Sequence, residues 1–374
     1  MMKLQGFLNT LLFLLFTSLI YAQPQEDFSE IDAYARQTPA SEAQSVEQLA
    51  SYLTQDAKTD LEKVRAFYVW ISENVRYDVP LYFDENATNQ EKLKKQQPER
   101  VLKYQKAVCE GYTNLFHELC KATDVTSEKV AGYTRYPDGE INRNGHTWNA
   151  VQIDGGWYLL DNTWGAGYVD PQKRRFHKDF QENYFLVKPE AFIVDHFPND
   201  PLFQMLPTPV LWRQFEAGKG AEKSNSTENS NSVFSNIRDS LNYFHTLDEE
   251  AKTLNSGNRI LEYDPKNGYA NYTLAKYYFT LARKANSSFQ DEFNKIVTNP
   301  RNVENQHLKK WNALLDESKG NCRQSILYLK NIPAGSKYSS FAKSAKKNVE
   351  MALRNIGEAE QQLVELKAYL KKIK

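Results

Sequence analysis

Residues 217–232 read AGKGAEKSNSTENSNS, sixteen positions without one large apolar side chain. A segment of this composition has nothing to bury against the entropy of ordering it, so it is expected to be a solvated linker. It cuts the 374-residue chain into a half of mixed character and a half that reads as helical throughout. That length suits two domains, and the boundaries follow as 23–216 and 233–374. The 47 basic and 47 acidic side chains balance, which argues against a nucleic-acid binder. The balance conceals a division: residues 217–374 hold 25 basic and 17 acidic groups, and residues 1–216 hold 22 and 30. Opposite charge on the two halves would draw them together or direct them to different partners. Three cysteines in such a chain exclude a disulfide framework.

The start, Met1-Met2-Lys3, precedes an apolar run from Phe7 to Ile20 and then Tyr21-Ala22-Gln23-Pro24. A basic start, a short apolar stretch and a small residue before a polar turn describe a secretory signal peptide over 1–22, cleaved after Ala22. An uncleaved anchor helix is the alternative, but the run falls short of the ~20 residues that span a bilayer. The expectation is export, to the periplasm or beyond, with no other membrane association. No lipidation cysteine follows the run.

Within 23–216, Thr59-Asp60-Leu61-Glu62 has the form of a capping box. Leu61, Val64, Tyr68, Ile71 and Val75 then recur at helical spacing, which predicts an amphipathic helix over 60–75. Ser45 introduces a shorter helix through Leu53. A third helix is expected from near Ala107, with Val108, Tyr112, Leu115, Phe116 and Leu119 on one face. Cys109 falls in its first turn, where unpaired N–H groups and the helix dipole favour a thiolate. Two readings stand for it, a reactive thiol or a small buried hydrophobe. Gly111 would let another chain or a substrate come close. Cys120 lies eleven residues further on, roughly 16 Å along the helix. That separation exceeds disulfide reach, and the apolar face assigns Cys120 to the core.

The period then changes to alternation. Residues 130–135 read as a strand ending at the Pro137-Asp138-Gly139 turn, and Asn142-Arg143-Asn144-Gly145 as a polar loop. From His146 to Ile153, Trp148 and Ala150 share one face, and Thr147, Asn149, Val151 and Ile153 the other. Asp154-Gly155-Gly156 is a hairpin turn, after which 157–161 returns antiparallel. Pairing about this turn sets His146 opposite roughly 163–165, one or two rungs from Asp161. A helix-start thiol with a hairpin-paired His and Asp supplies a nucleophile, a base and an orienter, as covalent acyl transfer requires.

Three motifs carry these residues: Ala107-Val108-Cys109-Glu110-Gly111-Tyr112, His146-Thr147-Trp148-Asn149-Ala150-Val151 and Leu160-Asp161-Asn162-Thr163-Trp164-Gly165-Ala166-Gly167. Through them residues 45–216 resemble the transglutaminase-like superfamily of cysteine acyl-transfer enzymes, in its kyphoscoliosis-peptidase type. The stretches Ala66–Ile71, Val75–Asp78, Tyr184–Val187, Pro189 and His196-Phe197-Pro198-Asn199-Asp200 fit it as well. The resemblance implies an α+β papain-like core, its helix-borne cysteine packed on an antiparallel sheet. It implies Cys109 as nucleophile, His146 as general base and then acid, and Asp161 as the group that fixes the imidazole tautomer. Attack on a protein or peptide amide would give a thioester, resolved by water or by an amine. The oxyanion needs donors; the Cys109 N–H is one, and Tyr77 or Trp70 is a candidate second. No cofactor is implied. His117 and Cys120 sit at i, i+3 without a second ligand pair, so no metal site is expected.

In 233–374, prolines at 265, 300 and 333 are spaced 35 and 33 residues apart, near the tetratricopeptide period. Asp264-Pro265-Lys266-Asn267 followed by Leu274, Ala275 and Tyr278 resembles that repeat's junction and first helix. A plain helical bundle is the alternative. Residues 341–373 form one helix or a hairpin broken near Gly357. The helical half would bind a protein partner or act as a spacer. Three functions compete for the whole: an exported cysteine protease or transglutaminase, a cell-wall amidase or peptidase, and a non-catalytic scaffold that keeps the fold.

Overall fold

The computed structural model describes residues 27–84, 86–218, 237–336 and 338–373. The proposed signal peptide and its cleavage site at Ala22 lie outside the described residues, as does the linker beyond Gly218. No helix among the described residues is long and apolar enough to cross a membrane.

The capping box forms as read. Thr59 accepts from the Glu62 N–H and Glu62 reaches back to the Thr59 N–H, opening a helix over Asp60–Asn74. The helix is there, but the amphipathic character expected of it gives way. Every residue from Val64 to Ser72 is buried, which is the behaviour of a helix enclosed on all sides. Its polar members are matched by partners in other elements. Arg65 pairs with Asp32 and Glu182 and lies under the rings of Phe28 and Phe185. Ser72 and the Tyr68 carbonyl accept from Asn162.

A second helix runs Cys109–Lys121, two residues later than the expected start. Lys106-Ala107 instead form a short parallel ladder with Arg76-Tyr77. The close approach expected at Gly111 comes from its own chain. A Cβ there would meet Gln96 Oε1 at 2.5 Å and the Ala107 Cβ at 2.6 Å.

These helices cover one face of a four-stranded antiparallel sheet, ordered Gly156–Leu160, Ile141–Ile153, Ser127–Arg135, His196–Pro198. The two faces divide as the alternation predicts. Val151 and Ile153 join the main core with Phe67, Trp70, Ile71, Tyr112 and Phe116; Trp148 and Ala150 join a second cluster on the far side. Asp154 and Gly155 both take positive φ, 50° and 79°, which is the turn a two-residue hairpin wants.

The polar stretch 142–145 is not a loop. It lies inside the Ile141–Ile153 strand, where the ladder slips between Gly132↔His146 and Thr134↔Asn142. One residue on the short strand there faces three on the long one. The bulge hides the alternation from the sequence, and His146 is the first residue paired after it. Bulges of this kind re-aim a side chain beside a site.

The second half consists of helices over Ile237–Thr246, Glu249–Tyr263, Gly268–Val297, Asn305–Lys330 and Ser339–Ile373. Ser318 donates to the Ala282 carbonyl and Ser325 to the Ala275 carbonyl, so seven residues forward on one helix match seven backward on its neighbour. Lys319 with Glu360 and Lys367 with Asn312 repeat that antiparallel relation for the last helix. Each spaced proline lies in or beside a turn between long helices. The period therefore marks one helix plus a turn, where a tetratricopeptide unit would hold two helices. The last helix runs unbroken through Gly357.

The halves meet over the outer face of the sheet. Leu241 is buried in the cluster of Val130, Trp148 and Leu202. His245 Nε2 stands 2.7 Å from Glu128, and Arg259 and Ser256 bind Asp200. The acidic partners come from the first half and the basic ones from the second.

Candidate active site

Cys109 opens its helix because Val108, in extended conformation, is the cap residue. Gln96, buried, accepts from the Val108 N–H at 2.9 Å and fixes the chain just before the thiol. One turn on, Thr113 donates to the Cys109 carbonyl at 3.0 Å and meets the Thr147 hydroxyl at 3.2 Å. Asn149 donates to the Thr113 and Glu128 carbonyls, tying helix to sheet. The thiol is thereby set against the strand that carries His146.

Asp161 follows the last residue of the hairpin strand and caps the short helix Asn162–Ala166, its Oδ1 accepting from the N–H groups of Thr163 at 2.7 Å and Trp164 at 3.2 Å. Its Oδ2 accepts from His146 Nε2 at 2.6 Å. Nδ1 is then the ring nitrogen left for Cys109, whose thiol bonds His146 and Thr147. Gly165 keeps this corner tight, since a Cβ there would lie 2.3 Å from the Tyr68 hydroxyl.

The electrostatics follow from the geometry. Burial alone would raise the Cys109 thiol, but its bond to His146, the imidazolium charge and Thr147 together lower it. Burial would lower His146, and Asp161 and Cys109 outweigh it, pushing His146 up to about 10. Asp161, despite burial, is held well below the usual carboxylate range by His146 and by His196. A thiolate–imidazolium pair is the state these shifts favour. The other two thiols behave oppositely: burial pushes Cys120 up strongly and Cys322 to about 11.

The structure thus brings Cys109, His146 and Asp161 together. Tyr77 pairs with Ala107, two residues before Cys109. Burial, Cys109 and neighbouring tyrosines push its phenol well up, so it stays protonated. Trp70 is a core residue, 1% exposed. His117 meets Ser127 through Nδ1 at 2.9 Å, and Cys120 is core.

One member of the site had no role assigned from sequence. His196 Nε2 lies 3.2 Å from Asp161 Oδ2, and its Nδ1 lies 2.6 Å from Asp195. His146, Asp161 and His196 are also the one group among the described residues with ligand atoms close enough to hold a metal ion, within 4.8 Å. Ligation would cost Asp161 Oδ2 both of its imidazole hydrogen bonds.

The site is thus a helix-start thiol set against a His–Asp pair on an antiparallel sheet. Residues 47–162 match the family model of the transglutaminase-like superfamily, which includes cysteine peptidases and transglutaminases. The chain is 39% identical over 197 residues to human "Kyphoscoliosis peptidase", covering 51% of this chain and 28% of that protein. It is 29% identical over 204 residues to "Lim and transglutaminase domain protein ltd-1" of Caenorhabditis elegans, covering 50% and 27%. It is 28% identical over 213 residues to "Hillarin" of Drosophila melanogaster, covering 53% and 25%. The chain spans about a quarter of the length of the curated relatives it matches.

Proposed function

We propose that the first half is a cysteine acyl-transfer enzyme acting on protein or peptide amides, with Cys109 as nucleophile, His146 as base and acid, and Asp161 as orienter. The observation that carries this is the placement of Cys109 at its helix start, with its thiol lowered by His146, whose Nε2 donates to Asp161 Oδ2 at 2.6 Å. The thiolate attacks the amide carbonyl, and the carbonyl electron pair moves onto oxygen. The Cys109 N–H has no intrahelical acceptor in the first turn, so it and the Tyr77 phenol are the proposed oxyanion donors. As the intermediate collapses, His146 Nδ1 gives its proton to the leaving amine and a thioester remains. Water or a second amine then attacks the thioester carbon while His146 takes a proton from the attacking group, and the C–S bond breaks to release the acyl product and return the Cys109 thiolate. Resolution by water is peptidase or amidase chemistry; resolution by an amine is transglutamination. The leading segment 1–22 adds the proposal that this chemistry takes place after export.

A mechanism-based thiol probe, applied to the wild type and to Cys109→Ala, tests the nucleophile, and parallel hydrolysis and amine-incorporation assays test the resolving step. Labelling at Cys109 and loss of turnover by at least about 10⁴-fold in Cys109→Ala are expected. Full turnover in Cys109→Ala would defeat the mechanism. A scaffold without chemistry has no need of an aligned thiol, imidazole and carboxylate.

A further inference from the structure

We propose that His196 is a positioning residue of this site: it donates its Nε2–H to Asp161 Oδ2 and holds that carboxylate on His146. This rests on the acyl-transfer mechanism proposed above. An ionised carboxylate can only accept, so Nε2 is the donor at 3.2 Å. Asp161 has about four acceptor positions, and all are taken: two backbone N–H groups at Oδ1 and two imidazoles at Oδ2. His196 therefore reaches the same oxygen that orients the base.

The surroundings of His196 fit a fixed donor. It sits on the three-residue strand His196–Pro198, with Thr134 as its partner. The ring is fully buried, stacked on Phe192 at 4.1 Å and edge-on to Trp164 at 4.7 Å and Trp148 at 5.0 Å. Asp195 holds the far nitrogen. Asp161, Asp195, His146 and Tyr184 are the titratable groups that face it. The ring is packed in by Phe192, Trp164 and Trp148, and the imidazole that lowers the Cys109 thiol is that of His146. His196 thus acts through Asp161, not on the reacting atoms. Without it, Asp161 can turn from His146, the imidazolium loses part of its counter-charge, and the Cys109 thiolate becomes less favoured.

The test needs no substrate. The full chain is alkylated with iodoacetamide across a pH series, and the Cys109 peptide is quantified by mass spectrometry. The wild type should show a midpoint below that of a free thiol. In His196→Ala the midpoint should rise by about one pH unit, with about tenfold slower alkylation on the acid side, the size of a lost hydrogen bond to a charged group. His196→Gln, which keeps an N–H donor, should restore most of the shift, and Asp195→Asn should raise the midpoint partway. Val130→Ala, which loosens the same side of the sheet without touching a donor, should lower Tm and leave the midpoint in place. A wild-type midpoint in the His196→Ala protein, or an equal shift in Val130→Ala, overturns the role of His196. If His196→Ala does not fold, an unmoved midpoint in Asp195→Asn overturns it. A wild-type Cys109 no more reactive than a free thiol defeats the acyl-transfer mechanism itself, and the role of His196 with it.

Discussion

Arg259 holds Asp200 by two guanidinium nitrogens, Nε and Nη2 each 2.7 Å from a different carboxylate oxygen. The pair joins the helical half to the segment just after His196–Pro198, and Ser256 adds a third donor at 2.6 Å. Charge asymmetry between the halves accounts for the signs of the partners. Burial accounts for the strength, because Asp200 is nearly inaccessible.

Arg259→Ala leaves that carboxylate buried with only the Ser256 hydroxyl and the Leu202 N–H, both uncharged, to offset its charge. The expected loss is about 3–5 kcal/mol, the cost of breaking a buried pair from one side. Urea unfolding should show it, with the helical half uncoupling first. Small-angle scattering dimensions of the wild type should hold from low salt to about 0.5 M, because salt screens buried pairs weakly and Leu241 adds apolar contact. Expansion with salt would mean that surface charge alone docks the halves.

Cys109 should alkylate about 100-fold faster than Cys120 or Cys322 at neutral pH, since only its thiol is lowered while burial raises the others. Turnover should rise with pH through the Cys109 titration, below the ordinary thiol value. It should fall above about 10, where His146 loses the proton it owes the leaving amine. Asp161→Asn removes the counter-charge, so the upper limb should move down and the lower limb up. Equal alkylation of all three cysteines would contradict the activated pair.

Much of this site was legible because its parts are local. The capping box of Thr59, the Asp154-Gly155 turn and the helix start at Cys109 are each written within a few residues. Asp161 follows from His146 by counting across one hairpin. His196 does not. Its strand is three residues long, and the strand it pairs with lies about sixty residues earlier, so nothing local marks its ring as turned toward Asp161. The stretch His196–Asp200 drew notice by resemblance alone. The bulge at 143–145 failed for a related reason, since extra residues erase a period-two pattern. The proline spacing was real, but a 34-residue period fits one long helix as well as two short ones.

Gly132 is where two of these non-local features meet. It pairs with His146 on one side and with Pro198 on the other. A Cβ at this position would lie 2.0 Å from the Phe197 carbonyl oxygen and 2.7 Å from the Trp148 ring. Backbone cannot yield as a side-chain tip can. Gly132→Ala should therefore push the His196 strand off the sheet and cost at least about 1–3 kcal/mol. Thermal unfolding measures the loss, and slower Cys109 alkylation should accompany it. A fully stable Gly132→Ala protein would show that the edge strand is not held this closely.

The triad should also leave its mark on stability against pH. Asp161 has its folded pKa depressed, so its contribution is complete above the ordinary carboxylate value of about 4 and is lost as pH falls through the depressed one. His146 has its folded pKa raised to about 10. Its contribution is complete below the ordinary imidazole value of about 6.5 and is lost progressively as pH rises from there through about 10. The two overlap fully only between about pH 4 and 6.5, on the acid side of the window for turnover. Denaturation at fixed temperature should thus place the largest stabilisation by the His146–Asp161 pair near pH 5, while the rate peaks at higher pH. His146→Ala should flatten the alkaline decline. If the decline from pH 7 to 10 is as steep without His146 as with it, the imidazolium is not the group that titrates there.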